Sequence, residues 1–116
     1  MASSSSMTKY HAKRTTVDGV AFASRREADV YKQLKLLAKA GAIHDLSLQP
    51  EFVIWDGGKD RNGKKVRPIV YRADFMYRQN KATVVVDVKG VRTPIYMMKA
   101  KMFRVRYPEY TFEEWK

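Results

Sequence analysis

The segment that most constrains the fold is Lys81–Lys89 (KATVVVDVK), the most β-prone run of the chain. Its β-branched valines favour an extended strand, and such a strand needs neighbours in a sheet. One carboxylate, Asp87, interrupts the apolar run. Lys89 follows two positions later and points to the same side of the strand. The fold must therefore place this strand in a sheet and accommodate a charged pair on one side of it.

The length and composition limit the class of protein. The 116 residues suffice for one domain with one modest core. The absence of cysteine excludes disulfides, thiolate metal sites and a cysteine nucleophile. No apolar run approaches the roughly 18 residues of a membrane span, so we expect an intracellular domain without a membrane partner. Because residues 1–9 begin with the Ser-rich MASSSS, we expect a disordered arm or an expression remnant there.

Positive charge is concentrated in the middle of the chain. The formal net charge of the whole sequence is +11. Residues 59–106 alone carry 14 basic and 3 acidic side chains, whereas residues 1–58 have a net charge of +2 and residues 107–116 of −2. A surface of this kind predicts a polyanionic partner. Carboxylates weaken a phosphate-binding surface unless they have another role, so two acids of this block, Asp74 and Asp87, require an explanation.

Helix and strand signals alternate along the sequence. Ser24-Arg25-Arg26-Glu27 has the capping-box spacing and predicts a helix that ends at Ala40-Gly41, and Pro94 suits the first turn of a second helix, Ile95–Tyr107. Alternation and β-propensity predict strands over Ser47–Trp55, Val66–Arg78, Lys81–Lys89 and Tyr110–Trp115, with a basic hairpin loop at Asp56–Lys65 and a turn at Asp18-Gly19. The order α-β-β-β-α-β predicts an α/β (α+β) domain whose central strands are flanked by helices.

The predicted hairpin places the two acids on one face. A two-residue turn at Gln79-Asn80 pairs Arg72 with Asp87 and makes Asp74 a diagonal neighbour of Asp87, with Lys89 on the same side. Alternation from Tyr71 assigns one face to Tyr71, Ala73, Phe75 and Tyr77 and the other to Arg72, Asp74, Met76 and Arg78.

A divalent cation would explain two adjacent carboxylates, which otherwise repel each other. Oxygen ligands without a nearby His or Cys favour Mg²⁺ or Mn²⁺ over zinc, and such an ion stabilises charge on a phosphoryl group. Glu27 lies within about 40° of the inward stripe of the first helix and is a candidate third acid. The alternative is a capping box with Ser24, which explains Glu27 without a metal. The alternatives for the other residues are a surface ion pair between Asp87 and Lys89, and a salt bridge from Asp74 to Arg72 or Arg78.

Asp74, a gap of twelve residues and then Asp87-Val88-Lys89 resemble the PD-(D/E)XK nuclease motif, with Ala73 in place of the proline. The segments SRREADVY, LQPEF, YRADF and VVDVKG, with a later KxKxF helix, are similar to a small phage-borne nuclease family that includes Holliday junction resolvase-like proteins. The resemblance covers Tyr10 to Trp115. It implies a single PD-(D/E)XK nuclease domain over residues 10–116, with a restriction-endonuclease-like core built on a central mixed sheet. It also implies a cytoplasmic location, that of the host if a phage encodes the chain.

The family's functional residues transfer to matching positions. The resemblance implies that Asp74 and Asp87 ligate Mg²⁺ or Mn²⁺, that the carbonyl of Val88 is a third ligand and that Lys89 is the catalytic lysine. Glu27 would be a further ligand, direct or through water. Basic residues that we expect to contact DNA are Lys59, Arg61, Lys64, Lys65, Arg67, Arg72, Arg92, Lys99 and Lys101, although a solvated basic face is the alternative for the last two. Gln49 is either a substrate contact or a buried amide.

The function predicted is therefore metal-dependent endonucleolytic hydrolysis of DNA. Because no sequence-reading motif is present, we expect selection by DNA structure, with Holliday junction resolution by a homodimer as the leading form. The alternatives are a phage nicking or flap nuclease, a nuclease subunit of a larger machine, a non-catalytic nucleic-acid-binding module and a basic accessory protein. His11 and His44 are assigned no role. Residues expected to pack the second helix against the sheet are Tyr96, Met97, Met98, Met102 and Phe103.

Overall fold

A computed structural model describes residues 14–116, so the predicted arm at residues 1–9 and His11 lie outside the described residues. The elements, in chain order, are β1 (Thr15–Val17), β2 (Val20–Phe22), α1 (Arg25–Lys39), β3 (His44–Leu48), β4 (Glu51–Trp55), β5 (Gly58–Lys59), β6 (Lys65–Val66), β7 (Ile69–Arg72), β8 (Phe75–Gln79), β9 (Ala82–Val88), α2 (Pro94–Arg106) and β10 (Thr111–Trp115). The predicted mixed α and β composition is confirmed. No helix within residues 14–116 is long and apolar enough to cross a membrane.

The valine-rich run forms a central strand, as its composition favours. Strand β9 pairs antiparallel with β8 and parallel with β10 in a four-stranded mixed sheet of order β10-β9-β8-β3. The remaining strands form the ribbons β1–β2, β4–β7 and β5–β6. The predicted order of six elements was therefore incomplete, because it lacked the first hairpin and the division of the middle strands. Its Asp18-Gly19 turn is confirmed, with both residues at positive φ.

The two helices cover opposite faces of β9. The α1 cluster joins buried residues of α1, such as Leu34, to Phe75 and to alternate residues of β9, including Val86. The α2 cluster contains Phe103 of α2 together with Val85. Since successive residues of a strand point to opposite faces, the sheet is sandwiched between the helices. The predicted flanking of the central strands is confirmed.

Helix α1 begins and ends as its sequence predicts. The Ser24 hydroxyl accepts a hydrogen bond from the Glu27 backbone N–H at 3.0 Å. At the other end Gly41 has φ +80°, and the Ala42 N–H donates to the Leu37 carbonyl at 2.9 Å. The Gly41 N–H also donates to the Ala38 carbonyl at 3.1 Å. The two bonds at this end form a Schellman cap, which requires a residue that tolerates a left-handed conformation.

The predicted strands Ser47–Trp55 and Val66–Arg78 were wrong in their continuity. The first is divided at Gln49-Pro50 into β3 and β4, and the second contains β6, β7 and β8 with a break after Arg72. The two breaks lie side by side, because the Gln49 N–H donates to the Asp74 carbonyl at 2.9 Å and the Ala73 N–H to the Pro50 carbonyl at 3.1 Å. At this point both segments of the chain pass between the two sheets, since β4 and β7 form the ribbon while β3 and β8 belong to the four-stranded sheet.

This break also corrects the predicted faces. Tyr71 and Ala73 belong to the α2 cluster, whereas Phe75 and Tyr77 belong to the α1 cluster. The alternation is therefore interrupted between Ala73 and Phe75. Simple period-two reasoning assumes one continuous strand and cannot detect such a bend.

The register of the β8–β9 hairpin differs from the predicted one by two residues. Gln79 pairs with Ala82 and Phe75 with Val86, so the turn is at Asn80-Lys81, where Asn80 has φ +57°. Continuing this register places Asp74 directly opposite Asp87 instead of diagonal to it. A shift of two preserves which face each residue occupies. The predicted pair of Arg72 with Asp87 is therefore wrong, and Arg72 lies in the β4–β7 ribbon, opposite Glu51.

The basic loop is a short hairpin, as predicted. It contains Asp60, the third acid of the basic block, whose role is structural. Asp60 Oδ1 accepts hydrogen bonds from the backbone N–H groups of Asn62 and Lys64, each at 2.9 Å. Gly57, at φ +76°, is required because a Cβ there would lie 2.3 Å from the Val66 carbonyl oxygen. Asp60 therefore organises the turn.

Candidate functional site

Asp87 is a buried carboxylate in the middle of the sheet. Only 1% of its surface is exposed. Its Oδ2 accepts a hydrogen bond from the hydroxyl of Tyr71. Its Oδ1 lies 3.1 Å from the Nζ of Lys89 but accepts no well-aligned hydrogen bond within the described residues. The ion pair with Lys89 is thus largely buried, not the surface pair that was the alternative interpretation.

Asp74 lies beside Asp87, at the point where the strand bends. Its Oδ2 accepts a hydrogen bond from the Val88 N–H at 2.7 Å. Burial raises the pKa of this carboxyl to about 7, and the negative charges of Asp87 and Glu27 act in the same direction. No ion pair found in residues 14–116 joins Asp74 to an arginine, and Arg78 pairs instead with Asp45 at 3.8 Å. The predicted alternative of a salt bridge from Asp74 is therefore wrong.

Lys89 is held on two sides. Its Nζ contacts Asp87 Oδ1 and lies 4.6 Å from the centre of the Tyr96 ring, a cation–π contact. The Tyr96 hydroxyl in turn donates to Glu114 at 2.6 Å, and Arg92 Nε donates to the same carboxylate at 2.8 Å. The first turn of α2 and strand β10 therefore hold the lysine ammonium at the edge of the carboxylate pair.

Glu27 lies at the capped start of α1, and its carboxyl group is within electrostatic reach of the site. Its backbone N–H is capped by Ser24, while its carboxyl group is half-buried. Burial raises the pKa of this carboxyl; Lys89 lowers it and Asp87 raises it. The carboxyl group of Glu27 therefore interacts electrostatically with Lys89 and Asp87. No group of three or more His, Cys, Asp or Glu within residues 14–116 is arranged to hold a metal ion.

Asp87 and Lys89 line an open cleft of about 450 Å³. The other lining residues are Glu51, Val70, Tyr71, Arg72, Thr93, Ile95, Tyr96 and Lys99. Of the predicted DNA contacts, Arg72 and Lys99 are in this cleft, and Lys99 Nζ donates to the Val70 carbonyl at 3.0 Å. The cleft thus combines carboxylates with cationic groups, a combination that suits a metal-bound phosphodiester.

The other predicted DNA contacts lie outside the cleft lining. Arg92 is paired with Glu114, and Lys101 is exposed on α2. The five basic residues of the β5–β6 region are all exposed: Lys59, Arg61, Lys64, Lys65 and Arg67. The side chain of Gln49 is exposed beside Asp74, so the alternative of a buried amide is wrong.

Sequence reasoning missed Tyr71, the partner of Asp87, because it was assigned to the face opposite the acids. It is 2% exposed, and burial together with the hydrogen bond to Asp87 raises the pKa of its hydroxyl, which remains protonated at neutral pH. A buried tyrosine hydroxyl usually has a polar partner, and that rule was the available signal. Glu51 and Tyr96 were likewise not assigned to the site.

The carboxylate pair fits a divalent cation. Asp87 Oδ1 is a buried oxygen without an aligned hydrogen bond, and burial, with the negative charges of Asp87 and Glu27 added, raises the pKa of Asp74. Both observations indicate negative charge that is incompletely compensated. The oxygen-only donor set of Asp74 and Asp87 suits Mg²⁺ or Mn²⁺. The residues present therefore fit the predicted ion.

A family model described as a protein of unknown function, DUF1064, matches residues 7–115, so the chain belongs to that family. No curated protein and no solved structure matches the chain.

Proposed function

We propose that this protein is a metal-dependent endonuclease that hydrolyses DNA phosphodiester bonds and selects branched DNA. The observation that carries the proposal is the buried Asp87 facing Asp74, with Lys89 beside it at the wall of an open cleft. A buried ion pair seldom contributes net stability, so chemistry is the better explanation for retaining one. The net charge of +11 supports a nucleic acid as the substrate.

Each residue of the site has a defined role in this proposal. Asp74, Asp87 and the Val88 carbonyl would hold Mg²⁺ or Mn²⁺, with Glu27 contributing directly or through water. When bound, the ion supplies positive charge that stabilises the phosphodiester under attack. The Lys89 ammonium orients the attacking water and neutralises charge on the phosphorane. Tyr71 holds Oδ2 of Asp87, which directs Oδ1 towards Lys89.

We also propose that the four-stranded sheet and its two helices form a restriction-endonuclease-like core. The supporting features are the acids on a central hairpin and a helix between the parallel strands β9 and β10. The basic β5–β6 hairpin suits contacts with the DNA backbone more than with bases. A homodimer presenting two such sites would cut both strands of a Holliday junction.

The test is a cleavage assay on four substrates: a four-way junction, a flapped duplex, a linear duplex and a single strand. Each is incubated with Mg²⁺, with Mn²⁺ or with EDTA. The parent is compared with Asp87→Asn and with Asp45→Asn, a matched change at an exposed aspartate paired with Arg78. We expect paired cuts in the junction that require metal, fall by about 10²–10³-fold in Asp87→Asn and persist in Asp45→Asn.

Other outcomes identify the alternatives. Equal cutting of every substrate would retain the nuclease and reject the junction preference, and selective cutting of the flap would indicate a flap nuclease. Tight, salt-sensitive binding without cutting would indicate a non-catalytic module. If Asp87→Asn cuts as well as the parent, the site is misassigned. A strictly monomeric mass on junction DNA would contradict the homodimer.

A further inference from the structure

Two exposed aliphatic residues lie next to the candidate site. Val91, in the loop after Lys89, is 77% exposed, and Ile95, in the first turn of α2, is 65% exposed. Ile95 also lines the cleft that contains Asp87 and Lys89. Sequence reasoning assigned Met97 and Met98 to the packing of α2 against the sheet, but both are exposed as well. The start of α2 therefore presents an apolar surface beside a cationic one.

The loop that carries Val91 is anchored at its base. Arg92 Nε donates to Glu114 at 2.8 Å, and Tyr96 donates to the same carboxylate at 2.6 Å. Thr93 caps α2 by accepting a hydrogen bond from the Tyr96 N–H at 3.1 Å. Before Val91, the Lys89 N–H donates to the Trp115 carbonyl at 2.8 Å. Together these bonds restrict the backbone on both sides of Val91 and Ile95.

We propose that Val91 and Ile95 form an apolar wedge that contacts the faces of unstacked or unpaired DNA bases at the branch point of the substrate. This inference rests on the proposed nuclease function and adds the feature of DNA that is selected. Paired duplex DNA presents phosphates and base edges, whereas a branch point also exposes apolar base faces. A surface that is cationic at Lys89 and aliphatic two and six residues later complements that combination.

The charge of α2 opposes the main alternative, which is a second copy of this chain. The helix carries four basic residues, Lys99, Lys101, Arg104 and Arg106, and no acidic residue. A copy packed on the same face through a two-fold axis would bring these charges together. A nucleic acid neutralises them, which favours DNA as the occupant.

Val105 provides the matched control. It is 78% exposed on the same helix, ten residues after Ile95 and therefore about 15 Å farther along the axis. It does not line the cleft. A serine at this position removes the same kind of aliphatic surface without touching the proposed wedge.

The experiment measures binding in EDTA, using the full chain with Asp87→Asn so that no DNA is cut. The ligands are a linear duplex and a flapped duplex with 2-aminopurine at the branch point. We expect the flapped duplex to bind more tightly and its fluorescence to rise on binding. When Val91→Ser and Ile95→Ser are added to the Asp87→Asn chain, affinity for the flapped duplex should fall by about tenfold, whereas affinity for the linear duplex should not change. Adding Val105→Ser instead should leave both affinities unchanged.

Three results would overturn the wedge. The double variant could lose affinity equally for both DNAs, or Val105→Ser could cause the same loss of affinity. The third is that 2-aminopurine fluorescence does not rise when the protein binds the flapped duplex. Sedimentation of the parent and the double variant tests the second copy. A dimer that dissociates when the wedge is changed would assign this surface to self-association. Since binding is measured without metal, failure to cut DNA would reject the nuclease and leave the wedge result standing. Conversely, cutting with no wedge effect would reject this inference alone.

Discussion

The two faces of strand β9 differ in what they bury. On the face towards α1, Val84, Val86 and Val88 contact an apolar cluster. On the other face, Val85 packs against Phe103 while Asp87 is buried beside Tyr71 and Lys89. One strand thus contributes stability on one face and a charged group on the other. A carboxylate is therefore tolerated in this sheet only where partners for it are already in place.

The largest effect should come from moving the carboxylate to the apolar face. Val86 is fully buried in the α1 cluster, which supplies no cation. We expect Val86→Asp to lower the free energy of unfolding by about 3–5 kcal/mol at neutral pH. Val86→Asn introduces a side chain of the same shape as aspartate but without charge, so it should lower the free energy of unfolding by less. At acidic pH, where the aspartate is protonated, the two variants should have similar free energies of unfolding. Chemical denaturation at several pH values measures this. Equal stability of both variants at pH 7 would contradict the proposed difference between the faces.

The next effect concerns the partner of Asp87 on the α2 face. Tyr71→Phe keeps the ring and removes the hydroxyl that donates to Asp87 Oδ2. We expect a 10- to 100-fold loss of Mg²⁺ affinity or cutting, as for other groups that orient a metal ligand. Tyr77→Phe, at a buried tyrosine of the α1 cluster, is the matched control and should cut normally. A Mg²⁺ titration of cleavage separates weaker metal binding from a general structural loss, and equal effects of both variants would refute the role of Tyr71.

The third effect is a pH dependence of the metal-free protein. The pKa of Asp74 is about 7 in the folded chain, against an ordinary value of 3.8. The folded state therefore binds more protons between these values, so Asp74 lowers stability as the pH rises from about 4 to about 7. Asp74→Asn should remove this part of the dependence, and saturating Mg²⁺ should reduce it. Thermal unfolding of both proteins measures the difference, and parallel curves without metal would count against it.

The smallest effects separate the helix cap at Glu27 from the proposed role of its carboxyl group in the site. Ser24→Ala removes the hydroxyl that caps α1 and should cost about 1 kcal/mol of unfolding free energy, with cutting unchanged. Glu27→Gln keeps the backbone cap and should reduce cutting by about tenfold with little change in stability. Unfolding and cleavage are measured on both variants. If Glu27→Gln cuts normally, its carboxyl group has no part in the site.

Local signals in the sequence determined much of this molecule. The capping box at Ser24, the Schellman glycine at Gly41 and the Pro94 helix start act within a few residues, so they predict both helices closely. Period-two alternation also placed Asp74 and Asp87 together despite a register error of two residues, because such a shift preserves the faces.

Tertiary structure alone decided the bend at Ala73-Asp74, which moves Tyr71 to the face where it meets Asp87. It also decided that Val91 is exposed and that Ile95 is exposed at the wall of the cleft. These features depend on contacts between distant segments: Tyr71 and Asp87 are 16 residues apart, and Gln49 and Asp74 meet through paired strand breaks. Propensity and periodicity describe a chain locally, whereas the partner of a buried charge is set by which strands pair.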